Sequence, residues 1–240
     1  MRLSSFAGSD VGLVRSGNED SYFCGRTVFA VADGLGGHQG GEVASAAAVE
    51  PLAALDGRGF ADPGEAAEAL AAAIRQANTA ILDQAAGNPE LWGMGTTLTA
   101  AALSGDHQLQ LAHVGDSRAY LLRDGALDQL TTDHTVVGEL VRRGRLTPGQ
   151  AAVHPERSIL TRAVGLDPRI PVDTPDPIDL RPGDQVLLCS DGLTEAVPDP
   201  RIAEVLSSQP DGDAACRALI DTANDAGGPD NITVVLLRVE

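Results

Sequence analysis

Val28-Phe29-Ala30-Val31-Ala32 runs without polar interruption into Asp33-Gly34. Such an apolar run describes a strand buried on both faces, ending where sheet meets solvent. The construction recurs in this chain. Val186-Leu187-Leu188-Cys189-Ser190 leads into Asp191-Gly192, and Leu109-Gln110-Leu111-Ala112-His113-Val114-Gly115 leads into Asp116. Asp230-Asn231 opens the run Ile232-Thr233-Val234-Val235-Leu236-Leu237. A single Asp-Gly is an ordinary turn starter. Several strand-end carboxylates converging on one edge would repel one another unless cations lay between them. Hard oxygen ligands select Mg²⁺ or Mn²⁺. Two such ions about 3.5–4 Å apart make a phosphoryl-hydrolysis centre.

Working outward, the first third reads strand, strand, helix, helix. Gly41 to Leu55 is Ala-rich and apolar on most faces, which predicts a buried helix. Asp62-Pro63 supplies an N-cap and a first-turn proline for a helix over 63–86, which stops near Gly87-Asn88-Pro89. Thr96–Leu103, Leu109–Val114 and Ser117–Arg123 are strand-like and joined by short turns, with Asp124-Gly125 as a hairpin signal. Consecutive strands so joined pair antiparallel. His134 to Arg145 reads as a short helix carrying Arg142, Arg143 and Arg145, and 148–165 as irregular chain. Late strands at 184–190 and 232–239 enclose short helices near 201–208 and 213–226. Strands clustered between helical blocks predict helices packed outside a sheet sandwich.

The chain has 240 residues and no internal repeat or long linker, which favours one domain spanning 1–240. Aromatics are only 3%, so the core has to be aliphatic. A net charge of −17 argues against a nucleic-acid backbone or an anionic membrane as main partner. Cys24, Cys189 and Cys216 show neither disulfide nor zinc spacing, so a reducing cytoplasm is the expected compartment. The first ten residues do not read as a signal peptide, and no run approaches the ~20 apolar residues of a membrane span. A monomer is expected.

Gly12-Leu13-Val14-Arg15-Ser16-Gly17-Asn18-Glu19-Asp20 places a guanidinium shortly before an Asn-Glu-Asp cluster. Arg can hold a phosphate oxygen pair bidentately, and the carboxylates can bind metal directly or through its waters. A surface Arg–Glu pair would read the same way and be worth little. No cysteine heads a Cys-x5-Arg phosphate loop, which fits a mechanism without a covalent phosphoenzyme.

Taken together, these residues resemble the metal-dependent Ser/Thr protein phosphatases of the PP2C (PPM) family in its bacterial form. The resemblance rests on 12–20, on Val31-Ala32-Asp33-Gly34-Leu35-Gly36-Gly37-His38, and on Gly41-Glu42-Val43-Ala44-Ser45. It continues through Gly95-Thr96-Thr97, Val114-Gly115-Asp116-Ser117-Arg118-Ala119-Tyr120, Asp133-His134, Ser190-Asp191-Gly192-Leu193 and Asp230-Asn231-Ile232-Thr233. The blocks stand in family order over nearly the whole chain.

The resemblance implies an α+β fold: a four-layer αββα sandwich of two antiparallel sheets flanked by helices, with a flap near 134–165. It implies hydrolysis of phosphoserine and phosphothreonine monoesters in proteins by a water bridging two divalent ions, Mn²⁺ or Mg²⁺. A kinase opposed by this activity is the first expected partner. Asp33 matches the carboxylate bridging the ions, and the Gly34 carbonyl and Glu19 belong to one of them. Asp191 and Asp230 hold the other, and Asp20 accepts from the ions' waters. Asp116 with Asp191 matches a third, weaker site, to which the Ser158 main chain is a possible contributor. Arg15 matches the phosphate anchor. Many relatives carry a His directly after the first Asp-Gly; here Leu35 stands there and His38 is the nearest candidate general acid. His134 and His154 fall in the flap and receive no metal role.

Overall fold

The computed structural model describes residues 2–36, 40–105 and 107–240. In chain order the elements are β1 (Leu3–Asp10), β2 (Asp20–Cys24), β3 (Val28–Leu35), α1 (Gly40–Ala53) and α2 (Pro63–Gly87), then β4 (Gly95–Thr96), β5 (Leu98–Ser104) and β6 (Gln108–Val114). There follow β7 (Arg118–Arg123), β8 (Ala126–Gln129), α3 (Val136–Arg142), α4 (Pro148–Ala152) and β9 (Ile178–Asp179). The chain closes with β10 (Gln185–Cys189), α5 (Asp191–Ala196), α6 (Asp199–Ser208), α7 (Gly212–Asp225) and β11 (Ile232–Val239).

Two antiparallel sheets form, one in the order β1-β11-β10-β7-β8 and the other β2-β3-β5-β6-β9, with β4 beside β3. The apolar runs are continuous because both faces of the central strands are covered. In β3, Phe29 and Val31 face the second sheet, where they meet Leu121, Leu188 and Val235. Val28, Ala30 and Ala32 point the other way, into a core shared with Leu52 of α1 and Leu70 and Ile74 of α2. Val234 and Leu236 of β11 likewise pack outward on Ile202 of α6 and Leu219 of α7. The period-2 alternation of a strand thus builds three apolar layers, giving the expected αββα sandwich.

Local chemistry sets the element ends. Asp62 accepts from the Glu65 N–H at 2.9 Å and Pro63 occupies the first turn of α2. Asp124 and Gly125 have φ of 52° and 82°, the two left-handed residues that a tight β7–β8 hairpin requires. Three corrections to the sequence reading follow. Three strands, not two, precede the first helix. The α3 helix ends at Arg142, because Gly144 turns the chain at φ 64° before Arg145. Residues 148–152 are helical rather than irregular: Thr147 and Gln150 form a reciprocal capping box around Pro148.

The antiparallel register carries the acidic strand ends to one place. Asp20 pairs with Asp33 across β2–β3, Cys189 with Val234 across β10–β11, and Leu98 with Val114 across β5–β6. The start of β2, the end of β3, the end of β6, the end of β10 and the start of β11 therefore share one end of the sandwich. Among the described residues, no helix is long and apolar enough to cross a membrane.

Candidate active site

Asp33 stands between Asp20 and Asp191, within hydrogen-bonding reach of both. Asp20 comes from the first sheet position of β2, and Asp191 begins α5 immediately after β10. A carboxylate in the first turn of a helix is favourably placed against the helix dipole. Ser190 ties the two sheets together here: its hydroxyl donates to Asp20 Oδ2 at 2.7 Å and accepts from the Thr233 N–H at 2.9 Å.

Main-chain and hydroxyl contacts hold Asp33. Its N–H donates to Thr97 Oγ1 at 3.0 Å, and its carbonyl accepts from the Thr97 N–H at 2.9 Å and the Thr96 hydroxyl at 2.8 Å. The Thr97 hydroxyl in turn meets that of Ser117 at 2.7 Å, one residue beyond Asp116. Gly34 has to be glycine, since a Cβ there would strike the main-chain oxygens of Gly41 and Glu19.

Asn231 is the residue that sequence reasoning underrated. Its Oδ1 accepts from the Glu19 N–H at 2.8 Å, and its Nδ2 donates to the carbonyls of Val11 and Gly17, each at 2.9 Å. The loop carrying Arg15 is thereby pinned to the start of β11. Arg15 donates to Asp230 Oδ2 at 2.6 Å. Its side chain remains 53% exposed, so it faces solvent.

The electrostatics are those of crowded acids. Burial, then the charges of Asp20, Asp191 and Asp116, push Asp33 well above the usual carboxylate range. Burial and then Asp116 and Glu195 do the same to Asp191. Burial raises Asp20 to about 6, against hydrogen bonds from Thr233 and Ser190 that favour its charged form. Burial and Asp133 raise Asp116 to about 7.

These residues fit divalent cations. Buried Oδ1 atoms of Asp20 and Asp191 have no hydrogen-bond partner, an expensive arrangement unless something else satisfies them. All the donors are hard oxygens. Among the described residues, no three or more His, Cys, Asp or Glu side chains are gathered into a closed cage by themselves.

Beside the acids, a groove of about 560 Å³ runs between the flap and the ends of β7 and β10. Asp116 and Asp191 line it together with Arg118, Arg142, Arg157 and Glu195. Ser158 contacts this wall through its hydroxyl, which donates to Glu195 Oε1 at 2.8 Å. Of the three flap arginines, Arg142 lines the groove, whereas Arg143 pairs with Glu139 on an exposed helix face at 2.9 Å. A more firmly held cation is Arg118, bound bidentately to Asp133 at 2.6–3.1 Å. His38 lies outside the described residues.

Comparison with known proteins matches this architecture. A family profile described as Protein phosphatase 2C covers residues 16–228. The serine/threonine protein phosphatase PstP of Mycobacterium tuberculosis is 48% identical over 97% of this chain, which spans 44% of that relative's length. A crystal structure of the M. tuberculosis serine/threonine phosphatase PstP/Ppp superposes with a TM-score of 0.92 at 46% identity, covering 99% of each chain. The catalytic domain of PstP in complex with two manganese ions gives 0.88 at 44% identity, again with 99% of each chain covered. With two antiparallel sheets, the acidic end and the matched residues in agreement, the chain belongs to the protein phosphatase 2C family.

Proposed function

We propose that this chain is a metal-dependent phosphatase for phosphoserine and phosphothreonine in proteins, a single catalytic domain over residues 1–240 that opposes a Ser/Thr kinase. The observation that carries the reading is Asp33 held between Asp20 and Asp191, with orphaned buried oxygens on both neighbours and Arg15 at the same end of the sandwich. Asp33, the Gly34 carbonyl, Glu19, Asp191 and Asp230 would hold two divalent ions, Mn²⁺ or Mg²⁺, and Asp116 with Asp191 a third. The PstP structure with two manganese ions supports that assignment. When bound, such cations supply Lewis-acid neutralisation of phosphoryl oxygens and lower the pKa of water.

The chain's own residues do the rest. Arg15 donates to the non-bridging phosphate oxygens, sharing its guanidinium with Asp230, and gains strength as charge builds in the transition state. Asp20 accepts a proton-bearing water's hydrogen bond and orients it toward phosphorus. Cleavage of the P–O bond leaves an alkoxide that takes up a proton, for which His38 is the candidate donor. The groove beside Asp116 and Asp191 gives the peptide flanking the phosphoresidue a place to lie. The three free thiols support a reducing cytoplasm as the working compartment, and the protein is read as a monomer.

The test is turnover of a phosphothreonine peptide beside sugar phosphates, with Mn²⁺ and after exhaustive EDTA dialysis. Metal-dependent turnover favouring the peptide is expected. Full activity after chelation would remove the metal assignment; equal turnover of sugar phosphates would remove the protein-substrate assignment; no turnover under any metal would leave only a binding domain.

A further inference from the structure

His134 is buried, 1% exposed, and belongs to neither the acidic cluster nor the core apolar set. Its partners are unusual for a space-filling histidine. The Gly115 N–H donates to His134 Nδ1 at 3.0 Å, and the His134 N–H donates back to the Gly115 carbonyl at 2.7 Å. One residue thus grips Gly115 by both its N–H and its carbonyl. On its far side, His134 Nε2 lies 3.0 Å from Asp173 Oδ2, and the other oxygen of Asp173 takes Arg162. An N–H on one side and a carboxylate on the other leave a single neutral tautomer, with Nδ1 bare and Nε2 protonated.

Gly115 is the hinge that needs gripping. It has φ 111°, where only glycine is comfortable, and a Cβ there would press on the Thr97 side chain. The next residue is Asp116, on the floor of the groove. A glycine in that conformation has several accessible neighbours, so the direction of the Asp116 carboxylate is set by what fixes the Gly115 peptide. The same histidine is tied to the flap: its carbonyl accepts from the Thr161 N–H at 2.8 Å, and the following Val136 N–H donates to Ile159 at 2.9 Å.

We propose that His134 is a positioning residue for the reaction: it clamps Gly115 and so aims Asp116, with Asp173 holding the ring in the tautomer that does so. The proposal rests on the phosphatase reading above, and its test separates the two.

Asn at position 134 can present Oδ1 where Nδ1 stands, keeping the acceptor for Gly115 and losing Asp173. Gln can present Nε2 where the imidazole Nε2 stands, keeping Asp173 and losing the acceptor. The experiment compares wild type, His134→Asn and His134→Gln by amide exchange of Gly115 in the metal-free protein and by kcat and KM on a phosphothreonine peptide with Mn²⁺. His134→Asn should leave Gly115 protection and kcat within about threefold of wild type; His134→Gln should raise Gly115 exchange and lower kcat by about tenfold or more, with KM little changed. Should His134→Gln not fold, His134→Ala carries the test. It too removes the acceptor for the Gly115 N–H, and the same exposure of Gly115 is expected. Equal losses in the Asn and Gln variants with Gly115 still protected would overturn the proposal. An inactive wild type with the expected exchange pattern would overturn the phosphatase reading and leave the clamp standing.

Discussion

Asn231→Ala tests how the site is assembled. Three hydrogen bonds disappear: one from the Glu19 N–H, and two to the carbonyls of Val11 and Gly17. The Glu19 N–H is partly buried, so losing its acceptor costs about 1–2 kcal/mol, while the two carbonyls have access to water and cost about 0.5 kcal/mol each. The sum, about 2–3 kcal/mol, corresponds to a Tm lower by roughly 5–10 °C for a chain of this size. Function should suffer separately, because the pinned loop carries both Arg15 and Glu19. Released from β11, Arg15 samples many positions, and kcat/KM should fall by about tenfold or more. A double-variant cycle identifies the route. If Asn231 acts through Arg15, then Asn231→Ala placed on Arg15→Ala should cost little further activity, although the stability loss persists. The assays are thermal unfolding in EDTA and steady-state kinetics with Mn²⁺ on a phosphothreonine peptide. A Tm fall with unchanged kcat/KM, or losses that add fully in the cycle, would refute the pinning argument.

Arg15→Ala should raise KM and lower kcat while leaving Tm nearly unchanged, since its pair with Asp230 is half exposed and such pairs stabilise little; wild-type kinetics would remove it from the site. Asp33→Asn should nearly abolish turnover yet make the Tm of the metal-free protein fall less as pH rises, because it removes a carboxyl whose ionisation burial and the neighbouring aspartates disfavour; an equally steep fall would contradict the repulsion. The raised carboxyls of Asp20, about 6, and Asp116, about 7, make a contribution that is most favourable below the ordinary carboxylate range and is lost as pH rises through those values. Cations compete with these protons, so the Tm gain on adding Mn²⁺ should be larger at pH 7.5 than at pH 5.5; calorimetry showing equal gains would refute the linkage. Asp116→Asn should lower kcat by about tenfold or more and weaken one metal site while two ions stay bound; unchanged stoichiometry and kcat would reduce Asp116 to a turn residue.

What the sequence made legible, and what it concealed, follows from the range of each interaction. The apolar runs of β3, β6, β10 and β11 announced themselves because both faces of these strands are covered, and each run pointed to the aspartate at its end. The Asp62 cap and the Asp124-Gly125 turn are local, so three or four residues sufficed to read them. β1 was harder: its residues, Leu-Ser-Ser-Phe-Ala-Gly-Ser-Asp, are half polar because it is an edge strand, and only its pairing with β11 makes it a strand. The aids to the site had, as their local signal, only a place inside the motif blocks, which says nothing of what they bond. Ser190 reaches Asp20 across 170 residues and Asn231 reaches Glu19 across 212, and neither a serine nor an asparagine stands out until the register brings the strand ends together. Carboxylates declare themselves in a sequence because several acids at strand ends demand an explanation. The neutral groups that aim them do not, since their cost when unpaired appears only after burial. The sites of this fold that single-residue reasoning passes over are therefore hydroxyl, amide and imidazole anchors one step behind the acids. Asn231, Thr97 and His134 are where substitutions should alter activity without touching a carboxylate.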